Sequence, residues 1–472
     1  MKKKTKILAL SLALTALITQ PIMAAAGNHK IQALKLNPFD NKKNDAMVVA
    51  NGIKNNASGY TYSITNKTTG VTSNDFYTNS SYIKYWAGEG TYQGALWGKT
   101  SGNARIDISS QKPVWAGGNL EFVFLAVCNQ LNGSQGIKPR QIYAKAMRGD
   151  KGVRVISGYH DNAPSQADAV IAEKFIEYAK TGESVKSSWI LANEYYKNDD
   201  NVGGYNARNY CVLTHSGNVQ YSRFEGFPGG TYTRPGSSST TILRFSSANP
   251  GGATELSSSE LAEIEVPNYA LKGTKRDINV SSTNVIEGGE NSKISAVIDE
   301  IGDTPVSTSG ELLVETGLNW LENNTTGIER STIEKQNAEI TPIVMSEIDE
   351  YGNESQEQVV AYAVNYPNKF DGISIEGEGF DVIVDSEGMI AANIKWSDFN
   401  KVSNPERSSP VTYKQALQIL GFENQMKRSD VNAMDATISF MYDENDDIYY
   451  PTWIFRDEDS SYFINCLTGD VN

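Results

Sequence analysis

Residues 120–127 read LEFVFLAV, and Cys128 follows directly. An apolar run of this length, almost unbroken except for Glu121, predicts a strand covered on both faces, which is typical of a parallel sheet. A short helix is predicted over 139–147, because Pro139 suits a first helical turn. Residues 153–159 are the next apolar strand. Strand, helix and strand with short connections indicate a right-handed crossover between parallel neighbours.

The alternation of strands and helices continues outward from this unit. Ser165 is a predicted N-cap for a helix that runs to Gly182, and a second helix is predicted over 186–196. The fold class predicted for residues 75–252 is therefore α/β, a mainly parallel sheet with helices on both faces. Further strands are predicted over residues 82–86, 104–108 (a hairpin or edge strand), 210–214 and 241–245.

The C-terminal half predicts a different, α+β organisation. Residues 253–290 are predicted to be a linker that turns into strands, 291–400 a strand-rich α+β region, and 401–472 a small α+β domain. The sequence TYKQALQIL at 412–420 predicts a short amphipathic helix. Strands are predicted over residues 359–364, 380–385, 389–396, 436–442, 450–455 and 462–466.

The first 26 residues have the layout of a secretory signal peptide. A basic cluster that includes Lys2 and Lys6 precedes an apolar stretch over 7–18, and cleavage is predicted near Ala24 or Ala26. The apolar stretch is shorter than the roughly 20 residues of a membrane span. The sequence thus predicts a secreted protein with no membrane-spanning segment after signal removal, and it leaves attachment to the cell envelope open. Residues 27–74 are polar, with a short strand as one interpretation of residues 60–65, and the main ordered region is expected to begin near Ser81.

Composition narrows the class of partner. The chain has 42 basic and 56 acidic side chains and a net charge of −14. A negative surface repels phosphate backbones, so nucleic acid is not an expected partner. The three cysteines are Cys128, Cys211 and Cys466, too few for a disulfide scaffold. Stability is therefore expected from burial of apolar side chains.

Cys128 and His160 each follow directly on an apolar strand. The carboxyl ends of parallel strands meet at one edge of a sheet, where ligands bind in open α/β folds. The two side chains are therefore predicted at the same edge, roughly 5–10 Å apart by strand spacing. A thiol beside an imidazole can act as nucleophile and base. The alternative interpretation is a buried structural cysteine, because cysteine often behaves as a small hydrophobe.

The region around residues 75–250 resembles the caspase and gingipain-like cysteine peptidase fold, in particular a group of bacterial secreted proteins of unassigned function that carry it. The motifs that carry this resemblance are YWAGEG at 85–90, GALWG at 94–98, LAVCN at 125–129 and VISGYH at 155–160.

The resemblance implies a set of site residues. Cys128 occupies the position of the family's nucleophile, and the backbone amides of Gly90 and Cys128 match its oxyanion donors. The family's catalytic histidine position is occupied here by Glu89. A carboxylate beside a thiol opposes thiolate formation. Either His160, or as a second choice His215, serves as base, or the site does not cleave.

The C-terminal part has its own resemblance. Residues 372–380 and 382–388 resemble the pro-region of thermolysin-like secreted proteases, and residues 401–472 are similar to the small PepSY domain of such pro-regions. This resemblance implies a role in folding or restraining a protease, either the N-terminal domain or a partner. A spacer or adhesive domain is the alternative.

No cofactor or metal is predicted. With three histidines and neither a Cys-x-x-Cys nor a His-Glu-x-x-His pattern, a zinc site is not expected. His29 is predicted to lie in an unstructured start without a role. The acidic run at 443–447 is interpreted as a solvated hairpin turn, because it lacks the spacing of a calcium loop.

Three functional hypotheses remain open at the level of sequence. The first is a secreted cysteine hydrolase that acts on a peptide or protein substrate through Cys128. The second is a non-catalytic binding or regulatory protein that keeps the peptidase fold, favoured by Glu89. The third is restraint of a partner protease by the C-terminal region.

Overall fold

The computed structural model describes most of the chain beyond the predicted signal peptide. The described residues are 28–36, 44–91, 94–95, 106, 108, 115, 118–133, 138–148, 152–160, 163, 168–196, 210–215, 222–230, 240–245, 257–281, 285–287, 293–296, 304–349, 351–386, 388–403, 409–423, 435–443, 446–456 and 461–471. The predicted signal peptide and cleavage site, the Ser165 cap and most of the predicted strand at 104–108 lie outside them.

Strands and helices alternate through the N-terminal half. Its strands are β1 (Asn28–Lys35), β2 (Thr61–Lys67), β3 (Ile83–Ala87), β4 (Gly90–Thr91), β5 (Gly94–Ala95), β6 (Phe122–Ala126), β7 (Val155–Tyr159), β8 (Tyr210–His215) and β9 (Thr240–Phe245). Its helices are α1 (Asp45–Asn56), α2 (Ser73–Tyr77), α3 (Pro139–Ala144, extended by a 3-10 turn at Lys145–Met147), α4 (Asp168–Lys180), α5 (Val185–Tyr196) and α6 (Ser258–Glu263).

The C-terminal half is richer in strands. They are β10 (Tyr269–Lys275), β11 (Asn279–Val280), β12 (Val285–Glu287), β13 (Lys293–Ala296), β14 (Thr325–Thr326), β15 (Glu339–Ile348), β16 (Gln358–Phe370), β17 (Ile373–Asp385), β18 (Met389–Lys395), β19 (Ser397–Ser403), β20 (Asp435–Asp443), β21 (Ile448–Arg456) and β22 (Ser461–Asn465). Helices α7 (Gly310–Asn324) and α8 (Tyr413–Glu423) and 3-10 turns at Arg330–Thr332 and Lys335–Asn337 complete it.

One large mixed sheet runs through both halves. Strands β2, β1, β3, β6 and β7 are parallel neighbours in that order. Strands β8 and β9 follow antiparallel, and β9 then pairs antiparallel with β15 of the C-terminal half. The sheet continues through β16, β17, β18, β13 and β12. The α/β class is confirmed as mixed, with a parallel section limited to the first part.

The apolar run at 120–127 is buried on both faces, as predicted. Phe122 and Phe124 belong to a core cluster that includes Phe175 of α4 and Trp189 of α5. The alternate residues of the run, with Val123 as an example, belong to a second cluster under α2 and α3. Side chains alternate across a strand, so the stretch 122–127, which is apolar at every position, requires cover on both sides. Helices on both faces provide it.

The prediction that order begins near Ser81 is wrong. Strand β1 is interior to the parallel section, between β2 and β3, and its Ile31 is fully buried. Helix α1 starts at the N-cap Asn44, whose side-chain oxygen accepts a hydrogen bond from the backbone N–H of Met47. The sequence of residues 27–74 is so polar overall that it did not reveal β1 and α1, each of which buries only a few side chains.

The N-terminal end of α1 carries a buried charge. Asp45 is fully buried, and its carboxylate lies 3.8 Å from Nζ of Lys35. Burial raises the pKa of Asp45 above its ordinary value, and Lys35 opposes that shift in part. The native state therefore keeps a proton at pH values where the unfolded chain has lost it. This contribution to stability is complete below the ordinary pKa of 3.8 and is lost as the pH rises through the folded value.

The Asp45→Asn variant is expected to lack this pH dependence. Between pH 4 and pH 7 the free energy of unfolding of the variant, relative to the wild type, should rise by about 1 kcal/mol. Urea denaturation at several pH values measures the difference. Curves that stay parallel over this range would contradict the assignment.

The C-terminal predictions agree with the structure for the strands and the helix that were expected. The amphipathic sequence at 412–420 forms α8, and the strands predicted after it are β20, β21 and β22. Helix α7 was not predicted, although Ser309 caps it through a bond from the backbone N–H of Leu312. Among the described residues, no helix is both long and apolar enough to cross a membrane.

Candidate functional site

The ends of β3, β6 and β7 lie side by side at one edge of the parallel section. Ala87 pairs with Ala126, so Glu89 and Cys128 each lie two residues beyond a paired position. Leu125 pairs with Gly158, and His160 lies two residues beyond Gly158. The predicted placement of Cys128 and His160 at one edge, on neighbouring strands, is confirmed. The order follows from parallel pairing, because all three strands run the same way.

Cys128 is partly exposed to solvent, whereas Cys211 and Cys466 are buried. Its Sγ accepts a hydrogen bond from the backbone N–H of Ala163, at 3.3 Å. A donor directed at sulfur stabilises negative charge on it. Burial raises the pKa of the Cys466 thiol. All three cysteines lie among the described residues, so Cys128 is the thiol that solvent can reach.

The loop after Cys128 holds the ends of β6 and β7 together. Asn129 adopts a left-handed backbone (φ 58°), which asparagine tolerates better than most residues. The backbone N–H of Leu131 then donates to the carbonyl of Tyr159 at 2.8 Å. Asn132 donates through Nδ2 to the carbonyl of His160 at 2.9 Å. One short loop therefore fixes the backbone of both candidate residues.

His160 is partly exposed as a residue, but its Nε2 atom is buried. The part of the ring that faces solvent is therefore not Nε2.

Gln130 is a site residue that sequence reasoning missed. Its side chain is fully buried, and Nε2 donates to the carbonyls of Thr91 (2.8 Å) and Cys128 (3.2 Å). Its Oε1 accepts a hydrogen bond from the hydroxyl of Tyr143 on α3, at 2.9 Å. Gln130 thereby joins the β4 segment, the Cys128 loop and α3. Thr91 and Tyr143 are distant from Gln130 in sequence, so no local pattern could have indicated these two contacts.

Gly90 and Glu89 occupy the same edge, on the β3 side. A Cβ atom on Gly90 would lie 2.6 Å from the carbonyl oxygen of Cys128 and 2.8 Å from Nε2 of Gln130. Only glycine permits so close an approach of two backbones. The side chain of Glu89 is exposed. The roles of the Gly90 and Cys128 amides as oxyanion donors remain predictions.

His215 cannot serve the same site as Cys128, so the second choice of base is wrong. Strand β8 runs antiparallel to β7, and Thr214 pairs with Val155 at the amino end of β7. The backbone of His215 therefore lies at the opposite edge of the sheet. An apolar strand has the same pattern in either direction, so the sequence left its orientation open.

The prediction for His29 is also wrong. His29 lies in β1, its Nε2 is 2.6 Å from Oε2 of Glu225, and its ring stacks on Tyr82 at 4.0 Å. It too lies at the amino end of the parallel strands, away from Cys128. The pair ties the first strand to the segment around Glu225, which is buried.

The acidic run lies in the connection between β20 and β21, where residues 444–445 are outside the described part. Asp447 has a left-handed backbone (φ 56°) and accepts from the hydroxyl of Tyr442, and Asp446 accepts from Tyr450. These contacts are those of a hairpin turn. Within the part of the chain that the structure describes, no group of three or more His, Cys, Asp or Glu side chains is arranged to hold a metal.

The fold and this edge define a class: a mixed α/β protein, dominated by a large mixed sheet, in which a part-exposed thiol and an imidazole end neighbouring parallel strands. Residues 20–224, fewer than half of the 472 in the chain, match the family described as a domain of unknown function (DUF6345). No curated protein matches the sequence.

Solved structures show a distant likeness. The complex of the Porphyromonas gingivalis RgpB pro- and mature domains is 10% identical, with a TM-score of 0.30, and the match covers 58% of this chain and 65% of that one. The Arg specific cysteine proteinase gingipain R (RgpB) is 12% identical, with a TM-score of 0.27 and coverage of 68% and 64%. An uncharacterised protein from Eubacterium rectale is 11% identical, with a TM-score of 0.20 and coverage of 56% and 72%. The chain thus spans slightly less than two thirds of the RgpB structures it matches.

Proposed function

We propose that this protein is a cysteine-dependent hydrolase of peptide or protein substrates, with a caspase and gingipain-like N-terminal fold. The observation that carries the proposal is the placement of Cys128. Its thiol is part-exposed and accepts an amide hydrogen bond from Ala163, and Cys128 follows β6, the neighbour of the strand β7 that His160 follows. A structural cysteine in the core would not combine these three properties.

The proposed reaction is acyl transfer. His160 accepts the thiol proton of Cys128, and the sulfur attacks the carbonyl carbon of a peptide bond. The proton then passes from His160 to the leaving amine, and water hydrolyses the thioester to release the acid and the free thiol. The amides of Gly90 and Cys128 are the proposed donors to the oxyanion. No cofactor takes part in this scheme.

Selective alkylation tests the first step. Iodoacetamide at neutral pH is expected to label Cys128 at least about tenfold faster than Cys211 or Cys466 in the folded protein, because those thiols are buried. Mass spectrometry of tryptic peptides measures the three rates. A peptide library, read with wild type and Cys128→Ala side by side, then tests hydrolysis. Equal labelling of the three thiols, or cleavage that persists in Cys128→Ala, would refute the proposal.

A second candidate function is non-catalytic binding of a peptide or protein on the same edge. The observation that favours it is the exposed carboxylate of Glu89, at the position where the resembled family has its histidine. A carboxylate near the thiol disfavours the thiolate. Selective labelling of Cys128 without any cleavage in the library, combined with retained peptide binding by Cys128→Ala, would support this alternative.

We further propose that the mature protein is exported, on the strength of the predicted signal peptide. N-terminal sequencing of protein recovered from the culture medium or envelope of the expressing cell tests this directly. A start near residues 25–27 is the expected result.

The likeness of residues 401–472 to a PepSY domain supports a restraining role of the C-terminal region towards a protease partner, and co-purification of such a partner would test it.

A further inference from the structure

The loop that carries Cys128 and fixes His160 is held from the other half of the protein. The backbone N–H of Arg140, on α3, donates to the carbonyl of Asn132 at 3.3 Å, and Asn132 in turn binds the carbonyl of His160. A Cβ atom on Gly133 would overlap the guanidinium of Arg140, so this group packs directly on the loop backbone. The Arg140 side chain therefore packs against the loop at Gly133.

The guanidinium makes a bidentate ion pair with Glu354, in the connection between β15 and β16. Nε lies 3.1 Å from Oε2 and Nη2 lies 2.6 Å from Oε1. The two side chains are only 9% and 11% exposed. The hydroxyl of Ser346 donates to Glu354 at 2.8 Å, and Glu357 lies 3.7 Å from the same guanidinium. A buried bidentate pair with these additional partners fixes the orientation of the guanidinium as well as its position.

The connection that carries Glu354 is itself anchored on the N-terminal half. Ile348, at the end of β15, is buried in the core cluster under α3. Its backbone also bridges to that of Glu354. Arg148 donates to the carbonyl of Asp349 at 3.0 Å. The described residues of the connection are therefore held against α3 and Arg148 by both apolar and polar contacts.

We infer that Arg140 and Glu354 are positioning residues for the Cys128–His160 site, through which the C-terminal half sets the geometry of the Cys128 loop. This inference rests on the proposed function and adds a regulatory input to it. Small displacements of reacting groups have large effects on rate, so the contacts of Arg140 with the Cys128 loop bear directly on the reactivity of the site. The region matched by the family of unknown function, residues 20–224, contains Arg140 but not Glu354.

The test is the rate of Cys128 alkylation and its dependence on pH, measured in the full chain. Arg140→Lys keeps the charge but loses the bidentate geometry, and Glu354→Gln keeps the shape but loses the charge. Each is expected to lower the rate at neutral pH about tenfold and to move the midpoint of the pH profile upward. The exchange of the two residues, Arg140→Glu with Glu354→Arg, is expected to recover part of the loss.

Arg276→Lys is the matched control. Arg276 also forms a bidentate ion pair, with Asp398, but in the C-terminal half and away from the loop. Its alkylation profile should equal that of the wild type. If the pair of Arg140 and Glu354 only joined the two halves, the variants would melt at lower temperature while the Cys128 profile stayed unchanged, and that result would overturn the inference.

Failure of the proposed function has a different signature. In that case the pH profile of Cys128 alkylation is the same in the wild type and in a variant with His160 substituted. If substitution of His160 changes the alkylation profile but substitution of Arg140 or Glu354 does not, the proposed function is retained and the inference is refuted.

Discussion

The His160→Gln variant is expected to react with iodoacetamide about 100-fold more slowly than the wild type at pH 6.5, at Cys128 alone. An imidazole that accepts the thiol proton keeps a large thiolate fraction at neutral pH, whereas glutamine cannot accept a proton. In the variant, the rate should rise only as the pH approaches about 8.5, the ordinary pKa of a cysteine. The measurement is the second-order rate constant between pH 5 and pH 10.

His215→Gln is the control for this prediction, because its backbone lies at the other edge of the sheet. It should leave the pH profile of Cys128 unchanged. Equal rates for wild type and His160→Gln across the pH range would show that the two side chains act independently. The thiol would then be only an accessible cysteine, and the binding alternative would gain support.

Replacing Lys84 by methionine is expected to destabilise the protein by about 3 kcal/mol. Lys84 lies in β3 and is fully buried, and its Nζ donates to the carbonyls of Asp75, Phe76 and Thr78 at 2.5–2.7 Å. The three N–H donors of one ammonium group therefore satisfy three backbone carbonyls at and just after the C-terminal end of α2. Methionine fills a similar volume but leaves buried carbonyls without that donor.

Two further facts about Lys84 bear on the size of the effect. Burial lowers its pKa well below the ordinary value, and Asp75 opposes that shift. The removal of a buried charge thus offsets part of the loss. The carbonyl of Phe76 keeps a second donor, the indole N–H of Trp115. The net cost consequently falls mainly on the carbonyls of Asp75 and Thr78.

Lys54→Met provides the comparison, since Lys54 lies on α1 with its side chain exposed. In chemical denaturation, the free energies of unfolding of the two variants should differ by most of the predicted loss of about 3 kcal/mol, a size expected for breaking a buried hydrogen-bond network. If both variants matched the wild type, the three hydrogen bonds would contribute nothing net to stability.

Most of the strands around the site were predictable, and so was the edge at which Cys128 and His160 meet. The run at 120–127 is apolar at every position except Glu121, and the short helix after it indicates a crossover to the next strand. Those two facts are local, and they suffice to place both residues at the carboxyl edge of parallel neighbours. The polar start was harder, because the buried face of β1 amounts to few side chains within a polar segment.

What the sequence determined by itself was the local pattern: which stretches form strands and helices, which faces are buried, and that a thiol and an imidazole follow adjacent strands. Only the tertiary structure decided the direction of β8, which removes His215 from the site, and the interior position of β1. It alone also paired Arg140 with Glu354 and Gln130 with Thr91. Hydrophobic periodicity is a property of neighbours in the chain, whereas strand direction and long-range polar pairs result from packing the whole chain into one core.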